Sequence, residues 1–440
     1  MKYFKINGGK KLSGKITVNG SKNAAVALFA AAMINKGKTT LKNVPQIEEV
    51  NRWVEVLESI GVKVERKEKT IILIPPDKIK IDDINKEAAQ RTRSAIMLIS
   101  GLIRRSKKYF IPQAGGCKLG ERTIRPHLFA IEKFGVKIKS IEGGFEIDTE
   151  NFKPVKKVVL YESGDTVTET ALIAAAQSPE KTIIKMATAN YMVQDVCFFL
   201  EKLGVKIKGI GTGTLEVTGL KEMNKDVTYE ISEDPIEAMF FISAAIVTKS
   251  KLIIQRCPIE FLELELLKLE KMGQKYNILN EYKSKNGKTD LVDLEIIPSK
   301  LKALKDKLHG LPFPGINIDN LPFFAPIVSI AEGRTLIHDW SYENRVIYFV
   351  DMNRLGARIS LLDPHRAYVE GPVSFKAAEM MSPPALRPAA IILVAMLAAP
   401  GMSILRDVYS INRGYENLEE RLKSVGADIE LMDDESNIKL

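Results

Sequence analysis

One short pattern recurs six times along the chain and constrains its fold more than any other feature of the sequence. In each copy, apolar residues with helical spacing precede a glycine, and apolar residues return in the short segment after it. The six glycines lie 69 to 83 residues apart and are Gly61, Gly135, Gly204, Gly273, Gly356 and Gly426. This period indicates duplicated supersecondary units. In each unit it predicts a helix that ends at a left-handed glycine and is followed by a strand.

A second element lies upstream of the glycine pattern, and it is an alanine-rich helix that leads through a turn into a short strand. The clearest copies are 24–34, 236–247, 322–331 and 389–399. A helix that is apolar on nearly all sides is predicted to be buried on all sides. We therefore predict an α/β fold with two halves of three units each. The buried helices lie inside, the sheets lie outside, and the cleft between the halves is the expected ligand site.

The composition is that of a globular protein with more than one domain. The chain has 440 residues, of which 45% are hydrophobic and 27% charged, and this length exceeds what one ordinary hydrophobic core supports. Its longest apolar run, 389–399, is shorter than the roughly 20 residues that cross a bilayer. The N-terminus has neither an apolar segment nor a cleavage site of the secretory kind. We therefore expect a cytoplasmic protein without membrane association.

Charge and metal-ligating residues narrow the class of ligand. The net charge is +9, but the basic residues are spread along the chain without a lysine-rich block or an aromatic stripe. This pattern favours an anionic ligand, and a generally lysine-rich composition without a functional meaning explains the charge equally well. The three cysteines stand alone and the four histidines are scattered, which predicts neither a disulfide framework nor a metal site.

Seven motifs occur in a fixed order on the repeat framework. They occupy 19–25, 90–95, 113–122, 318–319, 342–345, 386–387 and 412–416. Together with the six units, these motifs resemble those of the enolpyruvyl transferase superfamily over essentially the whole chain. The cysteine in the glycine-rich stretch resembles that of the UDP-N-acetylglucosamine 1-carboxyvinyltransferases rather than the 5-enolpyruvylshikimate-3-phosphate synthases.

The resemblance implies a fold, a reaction and a set of partners. The fold is a pair of inside-out α/β barrels, with a discontinuous half-domain formed by 1–21 and 232–440 and a continuous one formed by 22–231. The reaction transfers the enolpyruvyl group of phosphoenolpyruvate to the 3-hydroxyl of UDP-N-acetylglucosamine and releases phosphate, as the first committed step of peptidoglycan synthesis. It requires no metal or organic cofactor. The partners are these two small molecules, with no nucleic acid, and we expect a monomer or a weak homo-oligomer.

Cys117 is the predicted catalytic acid. It lies among glycines with Lys118 and Arg122 close by; glycines allow a loop to close over a site, and nearby cations lower the pKa of a thiol. By resemblance, Cys117 protonates the C3 carbon of phosphoenolpyruvate, can form a covalent adduct there, and is the target of the epoxide fosfomycin. The alternative is an inert core cysteine, which we expect for Cys197, while Cys257 has no catalytic context.

Arginines within motifs are informative here, because the chain has only 18 arginines against 46 lysines. Phosphoenolpyruvate carries a carboxylate and a phosphate, which arginine matches bidentately and lysine attracts as a point charge. By resemblance, Lys22 and Arg122 bind it together with Arg387 and Arg413 from the opposite half, while Arg93 contacts the nucleotide sugar. The implied substrate-binding residues are Lys22, Asn23, Arg93, Arg122, Thr123, Ile124, Arg125, Pro126, Asp319, Ser341, Arg345, Arg387 and Arg413.

Asp319 is the implied general base, which takes the proton of the sugar 3-hydroxyl. It precedes a buried-helix pattern, so the alternative interpretation is a helix N-cap. The implied catalytic residues are Lys22, Cys117, Asp319 and Arg413.

Three positions depart from the family pattern. Ala385 replaces an aspartate two residues before Arg387, Arg125 replaces a carboxylate in the uridine-contacting stretch, and Leu160 replaces a lysine near the diphosphate. Three alternatives therefore stay open: an enolpyruvyl transferase with a different nucleotide or sugar acceptor, a catalytically retired nucleotide-sugar-binding paralogue, and an RNA-end-processing enzyme with a similar repeat. The last has no supporting catalytic-histidine context in the sequence.

Overall fold

The computed structural model of the chain describes residues 1–113 and 123–433. The α-helices are α1 (Lys22–Ala32), α2 (Glu48–Ser59), α3 (Lys86–Arg91), α4 (Leu98–Gly101), α5 (Arg125–Glu132), α6 (Asp165–Ala176), α7 (Tyr191–Leu203), α8 (Pro235–Val247), α9 (Glu263–Lys271), α10 (Phe324–Ile330), α11 (Leu386–Ala398), α12 (Tyr409–Gly414) and α13 (Leu418–Ser424). Short 3-10 helices lie at Ile81–Asp83, Arg93–Met97, Ile259–Phe261, Leu321–Phe323 and Val346–Leu355.

The strands of the first part of the chain are β1 (Lys2–Gly8), β2 (Lys15–Thr17), β3 (Thr39–Lys42), β4 (Lys63–Lys67), β5 (Thr70–Ile74), β6 (Lys108–Pro112), β7 (Lys137–Ile141), β8 (Gly144–Asp148), β9 (Lys157–Val159), β10 (Lys181–Lys185), β11 (Lys206–Lys208), β12 (Thr214–Thr218) and β13 (Val227–Glu230). Those that follow are β14 (Leu252–Cys257), β15 (Lys275–Lys283), β16 (Asp290–Ile297), β17 (Leu308–His309), β18 (Gly333–His338), β19 (Arg358–Asp363), β20 (Arg366–Gly371), β21 (Glu379–Met381), β22 (Gly401–Arg406) and β23 (Ile429–Asp433).

Within the described residues these strands form six small sheets, one for each repeat. Their strand orders are β13-β3-β5-β4, β6-β8-β7, β11-β12-β10-β9, β15-β16-β14-β2, β17-β18-β20-β19 and β21-β22-β1-β23. In five of them a short edge strand pairs in parallel with the strand that follows the buried helix, and the remaining pairs are antiparallel. The sheets lie outside the buried helices, and the predicted α/β fold of two inside-out barrels is confirmed.

The six repeat glycines adopt the backbone conformation that the sequence predicts. Their φ angles lie between 81° and 104°, in the left-handed region that ends a helix at low cost only for glycine. A strand follows each of them. The fifth copy differs, because Val346–Leu355 is a 3-10 helix rather than an α-helix. Its first residues are β-branched and aromatic, and such side chains lose rotamer freedom in an α-helix.

The alanine-rich helices are buried on every side, as predicted. Every residue of α8 is buried, and so is every residue of α11 except the last. Small side chains allow close packing: a Cβ on Gly101 would lie 2.5 Å from the carbonyl oxygen of Ala30 in the neighbouring helix. The buried helices therefore pack against one another, and the sheets cover them.

Two separate hydrophobic clusters organise the chain. One is built almost entirely from residues between Ala24 and Ile231, and the other combines residues 4–18 with residues 236–429. The sheets divide in the same way, since β1 and β2 pair with strands that come after position 250. On this basis we propose the division into 1–21 with 232–440, and 22–231.

The two chain crossings between the clusters run side by side. Ser21 donates its backbone N–H to Ser232 O at 2.8 Å, and Asp234 donates to Asn19 O at 2.9 Å. Gly20 lies between them, where a Cβ would come within 1.8 Å of Asn43 O. The crossings are thus a tight paired connection. None of the helices in the described ranges has both the length and the apolar content of a bilayer span.

Candidate active site

The side chain of Asp319 lies between two arginines. Its Oδ1 accepts a hydrogen bond from Arg345 Nη1 at 3.2 Å, and its Oδ2 accepts one from Arg387 Nη2 at 3.4 Å. The Asp319 side chain remains 23% exposed, so a ligand can reach it. Two guanidinium groups therefore orient a carboxylate that is still accessible.

The turn that carries Asp319 is held by hydrogen bonds to the buried carboxylate of Glu265. Glu265 Oε1 accepts hydrogen bonds from the backbone N–H of Asn317 at 3.0 Å and from Asn320 Nδ2 at 2.9 Å. Asn320, not Asp319, occupies the N-cap position of the 3-10 helix that follows. The helix-cap interpretation of Asp319 is therefore not what the structure shows, because its carboxylate contacts arginines instead.

Arg345 is buried and its guanidinium is occupied within the protein. Its side chain is 1% exposed and donates to Asp339 Oδ2 and to the carbonyl oxygen of Ile318 as well as to Asp319. Its Cζ lies 3.9 Å from the centroid of the Tyr342 ring. A guanidinium that is occupied in this way suits a residue that positions Asp319.

Arg387 is the second residue of α11, and it is buried beside several acidic or phenolic groups. Its Nη1 donates to Tyr415 Oη at 3.1 Å. Burial lowers the pKa of Arg387, but Tyr415, Asp319 and Asp234 outweigh it and raise that pKa overall. Burial in turn raises the pKa of Asp234 to about 6, although Arg387 opposes this. Arg387 is thus a permanent positive charge at the base of the site.

Lys22 and Asn23 are the first two residues of α1 and are half-buried. The N-cap Ser21 accepts a hydrogen bond from Ala24 N at 3.2 Å and donates its hydroxyl to Tyr191 Oη at 3.2 Å. A helix N-terminus carries partial positive charge and unpaired N–H groups. Lys22 adds a full charge to it, so the start of α1 favours an anion.

Tyr191 contacts this helix start and belongs to the same hydrophobic cluster. It is buried at the first position of α7, and Asn23 Nδ2 lies 3.5 Å from its hydroxyl oxygen. Burial raises its pKa well above the usual value, Asp234 raises it further, and Arg387 opposes this. No motif singles out this residue, because its contact with Ser21 spans 170 positions.

Arg413, on α12, reaches toward the cluster formed by residues 24–231. Its Nε lies 3.9 Å from Glu49 Oε2 on α2, and its side chain is 30% exposed. Glu49 is held in place by the hydroxyl of Thr92 at 2.5 Å. Gly414 allows α12 to approach α11, since a Cβ there would lie 2.3 Å from Leu386. Arg413 therefore lies on a helix that packs against the start of α11, and part of its side chain is open to a ligand.

The predicted nucleotide-contacting residues lie at the start of α5. Thr123 and Arg125 are exposed, Ile124 is half-buried and Pro126 is buried. Thr123 Oγ1 accepts a hydrogen bond from Arg125 N at 3.1 Å, which fixes this turn.

The next residue, His127, connects α5 to α6. It lies 2.9 Å from Thr166 Oγ1, and burial together with the charge of Arg93 lowers its pKa to about 4. Arg93 therefore lies near the start of α5 and α6.

The remaining predicted residues are placed as follows. Ser341 is half-buried next to Tyr342. Cys117 and Arg122 lie outside the described residues. Among the departures from the family pattern, Ala385 is buried against Tyr342, and Leu160 is buried in the cluster of residues 24–231.

The structure thus brings Asn23, Asp319, Arg345 and Arg387 to one region where the two clusters meet, with Lys22 and Arg413 adjacent. A second carboxylate, that of Asp165 at the start of α6, belongs to the 22–231 part of the chain. It accepts a hydrogen bond from Asn190 Nδ2 at 3.1 Å. Burial raises the pKa of Asp165, and Asp319 raises it further. Asp165 and Glu49 were not foreseen from the sequence, where nothing distinguishes them from surface acids.

Comparisons with known proteins agree on the kind of protein. The family described as EPSP synthase (3-phosphoshikimate 1-carboxyvinyltransferase) matches residues 6–422. The chain is 32% identical to the UDP-N-acetylglucosamine 1-carboxyvinyltransferase of Treponema denticola over 98% of this chain and 99% of that protein. It is 33% identical to the enzyme of the same name from Bradyrhizobium diazoefficiens over 96% of each chain.

Solved structures share the fold at lower identity. The enolpyruvyl transferase NikO from Streptomyces tendae superposes with a TM-score of 0.84 at 22% identity, covering 98% of this chain and 99% of that one. EPSP synthase from Acinetobacter baumannii gives a TM-score of 0.76 at 18% identity over 98% of this chain and 100% of that one.

Proposed function

The chain belongs to the EPSP synthase family and, within it, to the UDP-N-acetylglucosamine 1-carboxyvinyltransferases, and from this we propose its reaction. It transfers the enolpyruvyl group of phosphoenolpyruvate to the 3-hydroxyl of UDP-N-acetylglucosamine and releases phosphate. The observation that carries this proposal is the accessible Asp319 carboxylate between Arg345 and Arg387, close to the cationic start of α1. It offers a proton acceptor next to an anion site, which this reaction requires.

Asp319 and Cys117 carry out the two opposite proton transfers of the addition step, one as base and one as acid. Asp319 accepts the proton of the sugar 3-hydroxyl as its oxygen bonds to C2 of phosphoenolpyruvate, and Cys117 donates a proton to C3. The tetrahedral adduct then loses phosphate and one C3 proton, which restores the double bond. Overall the O–H bond of the acceptor and the C2–O bond to phosphate break, one ether C–O bond forms, and the hydroxyl proton leaves with the phosphate as hydrogen phosphate, so no further proton is released.

Arg345 and Arg387 have different parts in this scheme. Arg345 is almost fully buried, and each of its three nitrogens already donates within the protein, to Asp339, Asp319 and Ile318, so it positions the base. Arg387, with Lys22, Arg122 and Arg413, binds the carboxylate and phosphate of phosphoenolpyruvate. Charge on both sides of the cleft favours closure once an anion neutralises it.

Replacing Arg413 by alanine is expected to raise the KM for phosphoenolpyruvate about tenfold or more, because a charge-assisted hydrogen bond contributes about 1.5–3 kcal/mol. Steady-state kinetics with phosphoenolpyruvate varied at saturating acceptor measures this. Arg406→Ala is the matched control, since Arg406 is 31% exposed and pairs with Glu379 on an outer sheet. An unchanged KM in Arg413→Ala would remove Arg413 from the site.

The acceptor is tested by phosphate release with a panel of UDP-sugars, UMP-linked alcohols and CMP-sugars at fixed phosphoenolpyruvate. We expect turnover with UDP-N-acetylglucosamine. The second candidate, a different nucleotide or sugar acceptor, is favoured by Leu160, which is buried where the family pattern has a lysine. Clear turnover with another acceptor and none with UDP-N-acetylglucosamine would promote that candidate.

Arg125 is expected to compensate for the missing lysine. It is exposed at the first position of α5, and a diphosphate requires positive partners. Arg125→Ala should therefore raise the KM for UDP-N-acetylglucosamine about tenfold and leave that for phosphoenolpyruvate unchanged. If both constants stay at the wild-type values, Arg125 only faces solvent.

The proposed reaction gives the protein a place in the cell. It is the first committed step of peptidoglycan synthesis, so we propose a role in cell wall formation, cell shape and cell division. We propose a cytoplasmic enzyme, because both substrates are cytoplasmic metabolites, and a monomer or weak homo-oligomer. The thiol chemistry proposed for Cys117 also makes it a fosfomycin target.

A further inference from the structure

A cavity of about 210 Å³ lies in the 22–231 part of the chain, and its lining is rich in positive charge. Among the described residues that line it, four side chains are cationic and one is acidic. The polar lining consists of Lys36, Arg104, Arg105, Gln177, Lys221 and Glu222. We call this space the basic cavity. Its surplus of positive charge favours an anion.

The basic cavity lies where three buried helices end. Lys36 follows α1, Arg104 follows α4, and Gln177 is the C-cap of α6. The candidate active site uses the opposite ends of two of these helices, since Lys22 begins α1 and Asp165 begins α6. A helix of 11 residues such as α1 is about 16 Å long. The basic cavity is therefore separate from the candidate active site.

Hydrogen bonds and ring packing hold the walls of the basic cavity in place. Leu220 donates its backbone N–H to Ala176 O at 2.9 Å. Arg104 Nε donates to Gln177 O at 2.7 Å, and Arg104 Cζ lies 4.9 Å from the centroid of the Phe152 ring. The space is thus preformed, which lowers the cost of ordering it around a ligand.

Gln177 supplies an unpaired acceptor. Its side chain is buried, with 3% of the residue exposed, and its Nε2 donates to Ser100 O at 2.7 Å and to Ile173 O at 3.1 Å. These contacts fix the orientation of the amide, because the opposite orientation would set its oxygen against two carbonyl oxygens. Within the described part of the chain, the buried Oε1 has no hydrogen-bond partner. It therefore requires a donor from a bound molecule.

Arg105 supplies an unpaired donor on the same lining. Its Nη2 donates to Pro76 O, whereas its buried Nη1 has no hydrogen-bond partner among residues 1–113 and 123–433. Burial lowers the pKa of Arg105, although Asp77 and Glu222 oppose this. A guanidinium that is partly withdrawn from water gains from a nearby anion. A water molecule would pair with both unpaired atoms, but it would not offset the surplus charge.

We propose that the basic cavity binds a small tetrahedral oxyanion that carries a hydroxyl group, of which hydrogen phosphate is the simplest. Its O–H donates to Gln177 Oε1, and its other oxygens accept from Arg105 Nη1 and lie near the charge of Lys221. Sulfate has the same shape and charge but no O–H at neutral pH, so it would leave Oε1 facing another acceptor. The site is additional to the candidate active site and does not depend on the proposed reaction.

Isothermal titration calorimetry with potassium phosphate and with potassium sulfate, at equal ionic strength, tests the proposal. The Kd for phosphate should be about five- to one-hundredfold lower than that for sulfate, because an unpaired buried acceptor is costly. Arg105→Ala should raise the Kd for phosphate about tenfold or more. Lys221→Ala should raise it less, since Lys221 is exposed and water and salt screen its charge. Glu222→Gln should lower it, because the change removes a negative charge and releases Lys36.

Arg66→Ala is the matched control. Arg66 is an exposed arginine on β4 of the same half, and its Nη1 donates to Asn51 Oδ1 at 2.7 Å. Its loss should leave the Kd for phosphate unchanged. Phosphate also meets the cleft in the proposed scheme, so Arg413→Ala is measured as well, and it should keep the phosphate binding that depends on Arg105. The KM for phosphoenolpyruvate should stay at the wild-type value in Arg105→Ala and Lys221→Ala.

Three results would overturn the proposal. The first is a wild-type Kd for phosphate in both Arg105→Ala and Lys221→Ala, because phosphate would then bind elsewhere. The second is equal affinity for sulfate and phosphate, and the third is a wild-type protein that binds no phosphate. Lys221 is exposed, so Lys221→Ala and Glu222→Gln keep the test decisive if Arg105→Ala proves unstable.

Discussion

Cys117→Ala should lose turnover by about 10³-fold or more, because removing a general acid alone costs about 10²–10⁴-fold and the carbon C3 has no other donor in the proposed scheme. Cys117→Asp should retain measurable turnover, since a carboxylic acid can also donate the proton. Phosphate release at saturating substrates measures both variants. Full turnover by Cys117→Ala would exclude Cys117 as the acid.

Fosfomycin provides a second measurement on the same residue. The other two cysteines, Cys197 and Cys257, are buried, and burial raises the pKa of both thiols, so little reactive thiolate forms on either. Mass spectrometry after fosfomycin treatment should therefore find one adduct, on the peptide that contains Cys117. Cys257→Ala is the control and should be labelled like the wild type. Labelling at Cys197 or Cys257 alone would contradict the assignment.

Asp319→Asn should lower kcat by about 10²–10⁴-fold while the KM values change far less. The amide keeps the shape of the side chain and still accepts a hydrogen bond from an arginine, but it cannot take up the hydroxyl proton. Steady-state kinetics with each substrate varied in turn separates kcat from KM. Asp363→Asn is the matched control, since Asp363 accepts a hydrogen bond from Arg366 Nε at 2.6 Å on an outer sheet.

A purely structural role for Asp319 predicts a different result. Loss of the carboxylate would then lower the melting temperature, because Arg345 and Arg387 would be left without a partner at that position, and turnover per folded molecule would be unchanged. Thermal unfolding of Asp319→Asn beside Asp363→Asn distinguishes the two outcomes.

The repeat architecture could be predicted from the sequence, because the features that define it are set by residues close together in the chain. A glycine after a helix and a helix without a polar face are each decided within about a dozen residues. Both rules held at Gly204, which ends α7 with φ 104°, and in α8, which is buried throughout. The 3-10 conformation of Val346–Leu355 was not foreseen, since the apolar spacing there resembles that of an α-helix.

The candidate active site could be predicted only in part, because its geometry depends on contacts between residues that are far apart in the sequence. The sequence indicated Arg345 as a functional cation, but its burial depends on Asp339 and on the turn at Asp319. Tyr191 and Glu49 have no local signature, and their roles appear only when α7 and α2 are packed against residues from far along the chain. Folding, rather than any motif, brings these groups to the cleft.

The most direct test of the proposed reaction is to identify its product. Wild-type protein is incubated with phosphoenolpyruvate and UDP-N-acetylglucosamine, phosphate is quantified, and the nucleotide product is examined by mass spectrometry and by NMR. We expect one enolpyruvyl ether, at the 3-hydroxyl of the sugar, for each phosphate released. Phosphate released without that ether, or an ether formed only on a different acceptor, would contradict the proposed function.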